Sequence, residues 1–134
     1  MKLNTLGPLV AAMAAFLATG TDATALKWLC HLDGDHSSEY TSMVEEFTTL
    51  WGDSAVTLGA DSSKWAVCNG LYFGLVNYPS HSWKEDYKQR EKIITEVPTG
   101  NECVWYTGVW QEHYYMYGAV KTMDFSGDAE IRYC

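Results

Sequence analysis

Ser38-Glu39-Tyr40-Thr41-Ser42-Met43-Val44-Glu45-Glu46-Phe47-Thr48-Thr49-Leu50-Trp51 decides the fold. Tyr40, Met43, Val44, Phe47, Leu50 and Trp51 recur at steps of three and four, so they share one face of a helix. Ser37 or Ser38 can cap its start, Glu39, Glu45 and Glu46 suit its N-terminal half, and Gly52 stops it. No other stretch carries so clear a helical period. Downstream the pattern turns to strands: Ala55 to Leu58, Lys64 to Cys68, and Leu71 to Tyr78, which ends at Pro79. Lys84 to Val97 is ambiguous. Trp83, Tyr87, Arg90, Ile94 and Val97 fit a helix, but Ile93, Ile94, Thr95 and Val97 favour strands, and Pro98 to Asn101 forms a turn into Cys103 to Thr107. We expect a hairpin there, with a strand at Lys92 to Val97. Tyr114 to Lys121 and the alternating Ala129 to Tyr133 are further strands. Upstream, Leu26 to Leu32 is a short first strand closed by the turn Asp33-Gly34-Asp35. The sum is one helix packed on an antiparallel sheet, an α+β domain.

The N-terminus has a different character. Lys2 precedes an apolar run from Leu9 to Ala18, too short for the roughly 20 residues that span a bilayer. Small residues follow at Ala23-Thr24-Ala25, the spacing a signal peptidase accepts. Residues 1–25 are expected to be a signal peptide and residues 26–134 one secreted domain, rather than a chain anchored in a membrane. All four cysteines, Cys30, Cys68, Cys103 and Cys134, lie beyond the cut. An even count in an exported domain of this size predicts two disulfides, and the absence of a C-x-x-C pair argues against zinc. Of three possible connectivities we favour Cys30 with Cys134, which ties the chain ends together, and Cys68 with Cys103.

Removing Lys2 and Asp22 with the signal leaves the net charge at −8. The local basic group, Lys84, Lys88, Arg90 and Lys92, is interleaved with Glu85, Asp86 and Glu91, so RNA is at most a weak partner. All six Trp and nine Tyr fall in the secreted part, and some must reach the surface as contact residues. His31, Asp33, Asp35 and His36 form the densest group of metal-ligand types, but we read them as a solvated turn before a helix in preference to a metal site. We expect no metal and no cofactor. His81 and His113 stand alone, no Ser lies in a G-x-S-x-G turn, and no Gly-rich phosphate loop occurs.

Trp28-Leu29-Cys30 resembles the aromatic-x-Cys motif that follows the signal peptide in candidate effectors of powdery mildews and rusts. The order of strand, helix and sheet is similar to that of guanyl-specific fungal ribonucleases and their effector relatives, the ribonuclease-like proteins associated with haustoria. Cys68-Asn69-Gly70-Leu71-Tyr72-Phe73 resembles that family's entry into its central strand. Arg90-Glu91-Lys92-Ile93-Ile94 resembles its Asp-Arg-Val-Val-Phe strand, Tyr106-Thr107-Gly108 sits where the family has His-Thr-Gly, and Glu130 to Cys134 resembles its closing strand. The resemblance implies a microbial ribonuclease-like fold whose active members use a Glu base, a His acid and an Arg.

Here the register puts Gly74, Tyr106 and Lys92, or a shifted Arg90, at those positions. The implied protein is a catalytically inactive effector. It would be a monomer that enters the host cell, binds a host plant protein, suppresses immunity and is open to recognition as an avirulence protein. Trp83, Tyr87, Trp105, Trp110, Tyr114 and Tyr115 are the candidate contacts, with core packing as the competing role of each. The alternatives are an active secreted ribonuclease using His31, His81 or His113 with a Glu, and a killer-toxin-like protein, which a helix at Lys84 to Val97 would favour.

Overall fold

The computed structural model describes residues 28–32, 34, 36–107, 112–125 and 128–134. The expected signal peptide lies outside the described residues, as do Asp33, Asp35, Gly108 and Trp110. In chain order the elements are β1 (Leu29–Leu32), α1 (Ser37–Trp51), β2 (Thr57–Leu58), β3 (Ser62–Cys68), β4 (Leu71–Asn77), β5 (Trp83–Lys84), α2 (Tyr87–Ile93), β6 (Asn101–Thr107), β7 (His113–Ala119), a 3-10 turn (Val120–Thr122) and β8 (Ala129–Tyr133). The protein is α+β, with two helices, a mostly antiparallel sheet and two disulfides. No helix among the described residues is long and apolar enough to cross a membrane.

The six-stranded sheet runs β1-β6-β7-β4-β3-β8, and β2 pairs with β5 in a separate two-stranded ribbon. Every neighbouring pair is antiparallel except β3 and β8, which run parallel with Trp65 beside Ile131. The wholly antiparallel sheet expected from the sequence is therefore corrected at its last strand. The chain leaves β7, in the middle of the sheet, and crosses to the far edge beside β3, which fixes the direction of β8.

α1 forms where its period predicts, with Tyr40, Met43, Val44 and Phe47 buried against the sheet. Its N-cap is His36 and carries no side-chain hydrogen bond. Of the two serines expected to cap it, Ser38 donates its hydroxyl to the Glu39 carboxylate instead. The C-terminal end lacks a basic residue of its own. Two arginines from elsewhere supply it: Arg90 donates to Thr48 Oγ1 (3.1 Å) and the Gly52 carbonyl (2.9 Å), and Arg132 donates to the Leu50 carbonyl (2.5 Å). Cations at that end satisfy orphan carbonyls and complement the helix dipole.

The expected strand at Lys92 to Val97 is a second correction, because that region opens with α2. Asp86 caps the helix by accepting from the Lys88 amide at 3.0 Å, and Ile93 is buried against α1, where Tyr40 donates to its carbonyl. Tertiary burial of Arg90 and Ile93 on one helical face outweighs the strand preference of neighbouring isoleucines. Consequently β6 pairs with β1 and β7, not with the residues before Pro98.

The same topology corrects the disulfides. Antiparallel pairing sets Cys30 opposite Cys103, and the parallel β8 carries Cys134 to the end of β3; the bonds are Cys30–Cys103 and Cys68–Cys134. Each bond thus staples an edge strand to its neighbour.

Candidate functional site: a filled sheet face and an open groove

The sheet is buried on both sides. On the helix side pack Ala66, Phe73, Leu75, Trp105, Tyr115 and Tyr117 with the apolar face of α1. On the other side Trp65, Tyr72, Val76, Val104, Tyr106, Tyr114 and Met116 form a second cluster, covered by Met123, Phe125, Ala129 and Ile131.

Gly74 and Tyr106, two of the positions matched to catalytic residues by the ribonuclease resemblance, sit on this second side. Gly74 pairs across the strands with Trp65 and Met116, and Tyr106 with Tyr114. A Cβ on Gly74 would lie 2.3 Å from Trp65 Cε3 and 2.6 Å from the Lys64 carbonyl oxygen. The indole lies across the glycine, so no side chain fits there. Trp65 is held by donation to Ser63 Oγ at 2.7 Å and by edge contacts with Tyr72 and Phe125. Burial pushes the Tyr106 hydroxyl up to about 12 and raises those of Tyr72 and Tyr114 further. These phenols stay protonated near neutrality and supply no base.

Lys92, the third matched position, is exposed on α2, which packs on the opposite side of the sheet. The shifted alternative, Arg90, is buried. Its guanidinium pairs with Glu85 through Nε to Oε2 at 3.0 Å and Nη2 to Oε1 at 2.6 Å, while Tyr115 donates to Glu85 Oε2 at 2.5 Å. Phe47 and Tyr87 flank it at 5.0 and 4.6 Å. Burial, then the Glu85 charge, raises the Tyr115 hydroxyl. The resulting acid, guanidinium and phenol knot joins α2 to the end of α1 and to β7, and its groups face one another, not solvent. The sequence-matched positions therefore do not converge on one site.

Of the candidate contact aromatics, Trp105, Tyr114 and Tyr115 are buried in the two clusters and are corrected to core residues. They occupy central strands β6 and β7, where both faces are covered. Trp83 and Tyr87 are half-buried, and Trp110 lies outside the described residues. Among the described residues the exposed large apolar side chains are Tyr78, Val97 and Tyr133, which residue type alone did not single out.

Trp83 stacks on His113 with ring centroids 4.1 Å apart and planes 9° from parallel. Burial lowers the His113 pKa; Glu112 opposes that effect and His81 adds to it. Nε2 of His113 is buried without a partner, and so is Oδ1 of Asn77, its neighbour across the strands. His31 lies exposed on β1 near Glu102, whose carboxyl is raised by burial. His36 contributes its carbonyl to the Tyr117 hydroxyl at 2.5 Å.

A groove of about 830 Å³ lies between the N-terminal half of α1, the β3–β4 turn and the end of β7. Ser38, Glu39, Ser42 and Glu46 line the helix wall, and Asn69, Gly70, Val120 and Lys121 the opposite one. Met43, Leu71 and the Cys68–Cys134 disulfide also line it. The helix wall was legible in principle: Glu39, Ser42 and Glu46 recur at three and four residues on the polar side of α1. Nothing local in the sequence says which polar stripe faces a groove. Comparison with protein-family models, curated proteins and solved structures found no match.

Proposed function

We propose that this chain is a secreted effector-type binding protein: a ribonuclease-like scaffold without the family's acid–base set, acting on a host plant protein to suppress immunity. Two disulfides are compatible with an extracellular protein. The single observation carrying the non-enzymatic reading is the Trp65 indole lying against Gly74. At the position matched to the general base there is no room for a carboxylate, and the surrounding face is filled with protonated phenols. Recognition then falls to the groove and to exposed side chains such as Tyr78 and Tyr133.

Incubation of the refolded, disulfide-bonded domain with single-stranded RNA tests the proposal. The expected result is no cleavage above a buffer control. Turnover that disappears in His113→Ala, His81→Ala or His31→Ala would replace it with the active-ribonuclease reading. A killer-toxin-like protein is the second reading, favoured by the α2 helix within Lys84 to Val97. Growth inhibition of sensitive yeast by the purified domain would select it.

A further inference from the structure

We infer that reduction of the Cys68–Cys134 disulfide creates, with Glu46, a binding site for a thiophilic divalent cation, Zn²⁺ foremost. The two sulfur atoms and a Glu46 carboxylate oxygen all lie within 4.8 Å of one another. Three separate elements bring them together: Glu46 projects from α1, Cys68 ends β3, and Cys134 follows β8, where its amide donates to the Val67 carbonyl at 3.2 Å. Helix and sheet therefore fix the directions of the ligands, as a preorganised site requires.

The Glu46 carboxylate has no hydrogen bond or ion pair among the described residues. An intact disulfide offers it no donor. Two thiols or a cation give it a partner. Two equivalents of a thiol reductant transfer two electrons and two protons, giving Cys68–SH, Cys134–SH and one reductant disulfide. The cation then displaces both thiol protons and takes a dithiolate–carboxylate donor set. Soft thiolates select Zn²⁺ over Mg²⁺ or Ca²⁺. Tetrahedral zinc sets its sulfur ligands about 3.8 Å apart, given Zn–S bonds of about 2.3 Å, so side-chain rotation after S–S cleavage is sufficient. The fourth position opens on the groove, leaving room for water or a partner's ligand.

The other disulfide is not an equal candidate. The Glu46 group is the sole metal-ligating cluster among the described residues, and it contains Cys68 and Cys134 but neither Cys30 nor Cys103. Each disulfide has one buried and one exposed cysteine, so what distinguishes Cys68–Cys134 is the neighbouring carboxylate. With the ion bound, β8 stays tied to β3 after its covalent staple is cut. The biological setting rests on the proposed delivery into a host cell, where thiol reductants prevail; the chemistry does not.

The test uses the whole secreted domain, reduced with a phosphine so that no added thiol competes for metal. Zn²⁺ is titrated against a chromophoric chelator, and Co²⁺ reports sulfur ligation through its thiolate charge-transfer band. We expect one ion per reduced chain with that band, none per oxidised chain, binding at least about tenfold weaker in Glu46→Gln, and none in Cys68→Ser/Cys134→Ser. Cys30→Ala/Cys103→Ala should keep the site. Near-ultraviolet circular dichroism checks that each variant is folded. The inference is overturned by Glu46→Gln binding like wild type, by binding in Cys68→Ser/Cys134→Ser, or by a reduced chain that unfolds and is not recovered by Zn²⁺. RNA cleavage would unseat the proposed function while leaving each of these arms unaffected.

Discussion

Gly74→Ala isolates the contact on which the non-enzymatic reading stands. The new methyl would sit 2.3 Å from Trp65 Cε3, 2.6 Å from Trp65 Cδ2 and 2.6 Å from the Lys64 carbonyl oxygen. Overpacking a well-filled core costs about 1–3 kcal/mol. Here the upper end applies, because one encroached atom is strand backbone and the indole is 0% exposed and wedged between Tyr72 and Phe125. A loss of about 3 kcal/mol lowers Tm by about 10 °C in a domain of this size. The assay is thermal unfolding followed by circular dichroism, with Trp65→Ala and the double variant as partners. Trp65→Ala alone should cost about 3–5 kcal/mol by opening a cavity. The double should cost about 1–2 kcal/mol less than the sum of the singles, because the methyl moves into the space the indole leaves. A Gly74→Ala protein melting within about 2 °C of wild type, or strictly additive effects, would refute the packing argument. Gly74→Glu, with a larger side chain in the same space, should be worse than Gly74→Ala.

Other expectations follow from the same geometry. Glu85→Ala strands the buried Arg90 guanidinium and should cost about 3–5 kcal/mol in urea unfolding, whereas Tyr115→Phe, which removes one donor to Glu85, should cost about 1–3 kcal/mol. Peptide mapping of unreduced protein should recover Cys30 with Cys103 and Cys68 with Cys134; replacing either pair with alanine opens a loop of 73 or 66 residues, worth about 4 kcal/mol on chain-entropy grounds. His113 has its folded pKa below the ordinary value of 6.5, so the unfolded chain takes up its proton first as pH falls. Stability from this residue is therefore full above about 6.5 and is lost between there and the lower folded value. His113→Asn should flatten Tm against pH in that window, and an unchanged slope would exclude His113 as its cause.

The sequence announced α1, most of the strands and the α+β class because each depends on a local period. Tyr40, Met43, Val44 and Phe47 face the sheet because a helix of that register has one apolar side. What failed depends on distant residues. Ile93 and Ile94 argue for a strand until Glu85 and Tyr115 are known to wait for Arg90 in the core. Trp105 and Tyr115 look like contact residues until their face is seen to pack with α1, and Tyr114 until the far side of the sheet is seen to be filled by a second cluster. The disulfides failed for the same reason: nothing near Cys134 reveals that β8 runs parallel to β3. Of the candidate site, the acidic stripe Glu39, Ser42 and Glu46 was visible as a pattern, whereas its position beside Cys68 and Cys134 was not.

Covering both faces of the sheet restricts where this domain can recognise anything. On the side away from α1 the sheet holds Trp65, Tyr72, Tyr106 and Tyr114, with Phe125 packed against them. The surfaces left are the ends and edges, and the edges are guarded. Cys30–Cys103 fastens β1, while Cys68–Cys134 and Arg132, whose guanidinium lies 3.9 Å over the Trp51 ring, fasten β8. Arg132 joins the edge strand to the last turn of α1, so its loss should loosen both together. Arg132→Ala should speed amide exchange in Ala129–Tyr133 and in the C-terminal turn of α1, with little change in β6 and β7. Exchange that quickens uniformly across the sheet would mean that β8 is held by the rest of the fold, not by its own clasp. The groove beside Cys134 would then owe its shape to the core.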